Sequence, residues 1–267
     1  MVVTWIALEA VGKSLCLRLR LFYSSTLESQ LSSLPINDES MKVFTYYNVL
    51  TESADLWAPD AQQRLIELWR KSWAKHGWEP VVLGESSLGS HPDYQRYLDA
   101  YLKLPTEYGH AYESACFMRW WAVAVSQGQM LTDYDVINYG FEPREPGGKM
   151  TLVTDPEPHG SSMGVVLGEP WQFMEMADIM RDWVPDEHDV NHGTTHFGKV
   201  HCSDASMVAR MFDNKNREKP PWFVKGLGAR IWGQPGWETS PLVHYGFAMH
   251  NTGNWPKCDH IEKLRPI

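Results

Sequence analysis

The run from Met41 to Leu83 constrains the fold most. Met41-Lys42-Val43-Phe44-Thr45-Tyr46-Tyr47-Asn48-Val49 is rich in β-branched and aromatic residues, as a buried first strand is. Pro59 suits the first position of a helix, and Leu65, Leu68, Trp69, Ser72 and Trp73 then mark one face at 3.6-residue spacing. Gly77 stops that pattern, and Trp78–Leu83 forms a second strand. A strand, a helix of about 18 residues and a strand make a βαβ unit, whose crossover requires a parallel pair. The expected class is α/β.

The chain continues in the same manner. Pro92–Leu104 is helical, and Ala111–Gln127 is the most apolar helix, carrying Cys116, Phe117, Trp120, Trp121, Val123 and Val125. Gly128 ends it, and Met130-Leu131-Thr132 is a short strand followed by Asp133-Tyr134-Asp135. On an extended backbone, residues i and i+2 point to the same side. Both acids can face one divalent cation, or one can face the cation and the other a sugar hydroxyl. Hard cations such as Mg2+ and Mn2+ favour such oxygens and are commonly held by one or two carboxylates plus substrate phosphates. Ligands of open α/β sheets sit at the carboxyl ends of the strands. Thr45-Tyr46-Tyr47 and Asp133-Tyr134-Asp135 are therefore expected at one edge.

The second half is looser. Phe141–Gly148 is a Pro/Gly loop, Met150–Thr154 a strand, Asp155–Gly160 a turn and Val165–Leu167 a short strand. Pro170–Trp183 is expected as a helix with Trp171, Phe173, Met174, Ala177 and Met180 inward. Asp204–Phe212 is a further helix, with Ser203 or Asp204 as N-cap. Residues 213–240, rich in Gly, Pro and Trp, suggest loop or irregular strand, and Pro241–Gly246 a strand ending in a turn. His188, His192 and His196 stand at i, i+4 and i+8, which on a helix would be a metal face. Gly193, Thr194 and Thr195 disfavour a helix there, so a loop near an acceptor site is the expectation.

Residues 1–40 differ in pattern from the remainder of the chain and are expected to be a peripheral extension, with Met41 opening the working domain. The apolar Val2–Leu8 is cut short by Glu9 and lacks a basic lead, so no signal peptide is expected. No run approaches the roughly 18–20 apolar residues of a spanning helix. The cysteines Cys16, Cys116, Cys202 and Cys258 are scattered, which fits reduced thiols in a cytoplasmic protein. A net charge of −9 argues against a non-specific nucleic-acid binder. The thirteen Trp suit either a core or the faces of sugars.

The first strand, with its small and aromatic end, and the passage CFMRWWAVAVSQGQMLTDYDVINYG resemble GT-A glycosyltransferases and their D-x-D region. The resemblance is clearest over 41–140. It implies a single GT-A-like (Rossmann-like) domain over 41–267, with a central mixed, mostly parallel sheet flanked by helices. It also implies a nucleotide-diphosphate-sugar donor, transfer to an acceptor hydroxyl, and Mn2+ or Mg2+. Asp133 and Asp135 would then hold the metal, with Asp133 also able to reach the ribose. PLVHYG resembles the late strand that supplies a third ligand, here His244. Thr45, Tyr46, Tyr47 and Arg119 would bind the donor. Lys257 would meet the diphosphate, although the spacing of HNTGNWPK departs from the family pattern. Asp204 is the candidate base of an inverting route, with Asp155 and Glu157 behind it.

Each role has a structural alternative. Arg119 can be a salt-bridge partner, Tyr46 and Tyr47 strand residues, His244 a core histidine and Asp204 a helix cap. At the level of function, the alternatives are a non-catalytic nucleotide- or sugar-binding module and a two-carboxylate phosphotransferase. The latter calls for a further acid beside the pair, and none adjoins it in the sequence.

Overall fold

A computed structural model describes residues 40–48, 59–106, 109–154, 164–185, 202–213, 219–233, 235–246, 261 and 264–267. Ser40–Ile267 forms one compact unit. The expected extension, the turn at Asp155–Gly160 and the histidine-rich run 187–201 lie outside the described residues, apart from Ser40.

The βαβ unit is present. Strand β1 (Lys42–Tyr46) leads to helix α1 (Pro59–Lys75) and strand β2 (Glu79–Leu83), and β1 pairs with β2 in parallel from Lys42↔Glu79 to Tyr46↔Leu83. The short α2 (Glu85–Leu88) and α3 (Tyr94–Tyr101) precede the long α4 (His110–Val125). At the end of α4, Gln127 takes a left-handed conformation. Gly128 then packs so tightly that a Cβ would meet the Phe44 ring and Val123 at 2.8 Å, so the residue that ends the helix also seats β3 beside β1. Strands β3 (Met130–Thr132) and β4 (Val136–Asn138) follow, then β5 (Met150–Thr154) and β6 (Val165–Leu167). The chain is completed by α5 (Pro170–Arg181), α6 (Asp204–Asp213), β7 (Phe223–Leu227), β8 (Ala229–Ile231) and β9 (Leu242–His244).

Six strands form a central sheet in the order β2-β1-β3-β6-β5-β7. Only β6 pairs antiparallel with its neighbours, so the sheet is mixed and mostly parallel, as expected. A smaller sheet, β4-β9-β8, lies apart. Alternate residues of the central strands supply two cores. Phe44, Leu131, Leu152 and Val166 pack with α3, α4, α5 and α6. Val43, Met130, Val153 and Val165 pack with α1 and the small sheet. Period-two alternation thus places helices or sheet on both faces, which is why apolar residues stand on both faces of the strands.

Two local expectations are corrected. Trp171 is 52% exposed and packs its ring against Trp222, because Phe173, Met176, Ala177 and Met180 occupy the inward face of α5. Residues 213–240 contain two regular strands, β7, which pairs with the distant β5, and β8, which pairs with the nearby β9. Strand β4 is an addition that carried no sequence signal of its own, being three residues beside a turn.

Candidate metal centre

Asp133-Tyr134-Asp135 is the junction where the chain leaves the central sheet for the small one. It is held at both ends by tryptophans of α1. The Trp69 indole donates to Thr132 Oγ1 at 2.8 Å, and the Trp73 indole donates to the Val136 carbonyl at 3.0 Å. Trp78 continues the series onto the Phe141 carbonyl at 2.9 Å. The Asp133 amide donates to the Gly164 carbonyl, and the Val136 amide to the Asp133 carbonyl. Much of the tryptophan surplus therefore serves the core and fixes this turn.

Pairing of β4 with β9 brings the third donor. The two strands run antiparallel with Val136 opposite His244, and the Tyr245 amide donates to the Asp135 carbonyl. His244 Nε2 consequently lies 3.1 Å from Asp135 Oδ1 and 3.9 Å from Asp133 Oδ2. One donor atom from each of Asp133, Asp135 and His244 lies within 4.8 Å of the others, a spacing that could hold a metal ion. Asp135 Oδ1 is buried and pairs with His244 Nε2, with no other partner among the described residues. A buried carboxylate oxygen and an imidazole nitrogen turned toward each other are a donor pair that suits a cation ligand. Gly246 completes the fit: a Cβ there would overlap Asp135 Oδ2 and come within 3.1 Å of His244 Nε2.

Electrostatics follow from the crowding. Burial alone would push the His244 pKa down, but the Asp135 and Asp133 carboxylates outweigh it and hold it above its ordinary value. Burial pushes Asp133 up, and the charge of Asp135 adds to this, while Arg119 and His244 oppose it. Arg119 is held above its ordinary value because Asp133 and Asp204 outweigh its burial. Glu113, one and a half turns earlier on α4, is buried and pushed up to about 8 by desolvation and then by the Asp204 charge.

The remaining expected residues are distributed unevenly. Arg119 does not stand free for a phosphate: it pairs with Asp133 Oδ1 and, through Nε and Nη2, with Asp204 Oδ2 at 2.8 and 2.6 Å. Asp204 is 3% exposed and also accepts from the Trp120 indole at 3.0 Å. That placement makes it an anchor for Arg119. Thr45 is buried, with its hydroxyl unpartnered among the described residues and closed to solvent. Tyr46 is a core residue whose hydroxyl accepts from Asn48 at 3.1 Å. Tyr47 is half-buried at the edge, its ring edge-on to Tyr134 at 5.7 Å and its hydroxyl donating to Gln62. Lys257, Asp155 and Glu157 lie outside the described residues. Gly246 and the Trp69–Trp73 clamp were missed. PLVHYG contains the glycine, but only the β4–β9 register shows what it must clear.

Comparison with known proteins places these residues in context. Residues 20–142 match the model of a family described as a domain of unknown function, DUF8765. That match starts inside the expected 1–40 extension and takes in Arg119, Asp133 and Asp135, but not Asp204 or His244. No curated protein matches the sequence. A solved structure described as a glycosyltransferase involved in the glycosylation of the major capsid of PBCV-1 is similar over 84% of this chain and 99% of that one. The identity is 11% and the TM-score 0.44. Among the described residues, no helix is long and apolar enough to cross a membrane, and Cys116 is a free thiol.

Proposed function

We propose that this chain is a metal-dependent glycosyltransferase of GT-A type, moving a sugar, of hexosyl type, from a nucleotide-diphosphate-sugar donor to an acceptor hydroxyl. The observation that carries the reading is the convergence of Asp133, Asp135 and His244 beside the carboxyl ends of β1 and β3, with Asp135 Oδ1 buried against His244 Nε2. An imidazole beside two carboxylates favours Mn2+ over Mg2+. A bound divalent cation would supply charge stabilisation to a leaving diphosphate. The chain's own residues do the rest: Asp135 and His244 present the donor atoms, Asp133 adds one oxygen, and the Trp69 and Trp73 indoles keep the turn rigid. Tyr47 and Tyr134 offer ring faces and edges where a nucleoside could pack. In this reading the working domain spans 41–267, with 1–40 peripheral to it and Lys257 a further contact to the diphosphate.

The test is donor hydrolysis or transfer with a panel of nucleotide sugars. Turnover that requires Mn2+ and disappears in Asp135→Ala is the expected result. Binding of a nucleotide sugar without turnover on any acceptor supports instead a non-catalytic binding module of the same fold.

A further inference from the structure

The Asp204–Arg119–Asp133 chain assigns a positioning role that the metal reading alone does not contain. Asp204, in the first turn of α6, comes from 85 residues further along the chain to meet the Arg119 guanidinium. It accepts from Arg119 Nε and Nη2 and from the Trp120 indole, all on Oδ2. That grip leaves Arg119 Nη1 on Asp133 Oδ1, while Asp133 Oδ2 faces His244. A guanidinium held at two points is a planar fork with little freedom to turn away.

We propose that Asp204 and Arg119 form a positioning pair that commits one oxygen of Asp133 to a resident positive charge, leaving the other for the cation, and so lowers the cation affinity of the site. This rests on the reading of Asp133, Asp135 and His244 as cation ligands. Arg119 competes with the cation for Asp133 and repels it. Asp204 shares that guanidinium and thereby moderates both effects. The pair therefore acts in opposite directions. Removing Arg119 frees Asp133 and removes a repelling charge, whereas neutralising Asp204 turns the whole guanidinium onto Asp133. Partners behind the ligands commonly change metal affinity by about 10–100-fold.

The experiment measures Mn2+ affinity of the full chain from the electron paramagnetic resonance signal of free Mn2+, without donor or turnover. Arg119→Gln should bind Mn2+ roughly tenfold more tightly, and Asp204→Asn roughly tenfold more weakly. A merely structural pair loosens Asp133 in either variant, so weaker binding in both, or no change in either, overturns the proposal. Should Arg119→Gln not fold, the double variant R119Q/D204N serves, since it removes both buried charges together. It must bind Mn2+ at least as tightly as the unaltered chain; weaker binding overturns the proposal. Asp135→Ala separates the two readings. If it binds Mn2+ unchanged, the cation site itself is wrong and the proposal falls with it. If it loses Mn2+ while the two single variants shift in the same direction, only the positioning pair fails.

Discussion

The two sides of Asp133-Tyr134-Asp135 are built on opposite principles. On the Asp133 side the polar atoms are satisfied: Arg119 takes Oδ1, Asp204 holds Arg119, and the Trp120 indole holds Asp204. On the Asp135 side, among the described residues, a buried carboxylate oxygen faces an imidazole nitrogen 3.1 Å away, and Gly246 leaves room for the carboxylate. Both donors of that pair can turn to a cation, whereas the Asp133 oxygen is already committed to a guanidinium. The difference separates the half of the candidate site that is open to a ligand from the half that is already held in place.

The sharpest way to break this contrast is Asp135→Ala. It should reduce Mn2+ affinity by more than about 100-fold, read by resonance titration. Retained Mn2+ binding would erase the distinction. Gly246→Ala comes next. Its Cβ must displace Asp135 or the backbone, so Mn2+ affinity should fall by roughly 10–100-fold while the circular dichroism spectrum stays the same.

In the tryptophan clamp that fixes the turn, effects should appear in stability before affinity. Trp69→Phe removes the bond to Thr132 Oγ1 and leaves a buried hydroxyl unsatisfied, at a cost of about 1–3 kcal/mol seen as a lower melting temperature. Glu113 gives a pH signature. Its pKa is raised from an ordinary 4.5 to about 8, so between these values the folded chain keeps a proton that the unfolded chain has released. Its contribution is full below pH 4.5, declines as pH rises and is gone above about pH 8. Against Glu113→Gln, which does not titrate there, the unaltered chain should lose about 1.4 kcal/mol of relative stability per pH unit across that window. A flat difference in denaturant titrations would contradict the assignment. The smallest effect is expected from starting the chain at Met41, which should leave Mn2+ affinity unchanged; loss of folding would show that the preceding segment is integral.

How much of this the sequence disclosed depends on the range of the interactions. Val43–Tyr46, the α1 face and Met130–Thr132 were legible because apolar periodicity is local, although β1 ends three residues before Val49, where its run was expected to end. Asp133 and Asp135 were legible for the same reason, as two acids two residues apart on an extended turn. His244 could be nominated only through a family resemblance, since its meeting with Asp135 depends on the β4–β9 register across more than a hundred residues. The helix-start position of Asp204 was visible, but its burial against Arg119 and Trp120 is set by how α6 packs on α4, which no local pattern encodes. Strands β7 and β8 were obscured because Gly, Pro and Trp mask period-two alternation, and the β7 partner, β5, lies far back in the chain.

The most direct test of the central claim is a thermal-shift screen of nucleoside diphosphates and their sugars, with and without Mn2+, on the unaltered chain and on Asp135→Ala. A ligand that binds the folded state raises its melting temperature by mass action. The account predicts that at least one nucleotide sugar stabilises the chain only when Mn2+ is present, and that Asp135→Ala abolishes the shift. Stabilisation that is independent of Mn2+, or that persists in Asp135→Ala, would contradict it.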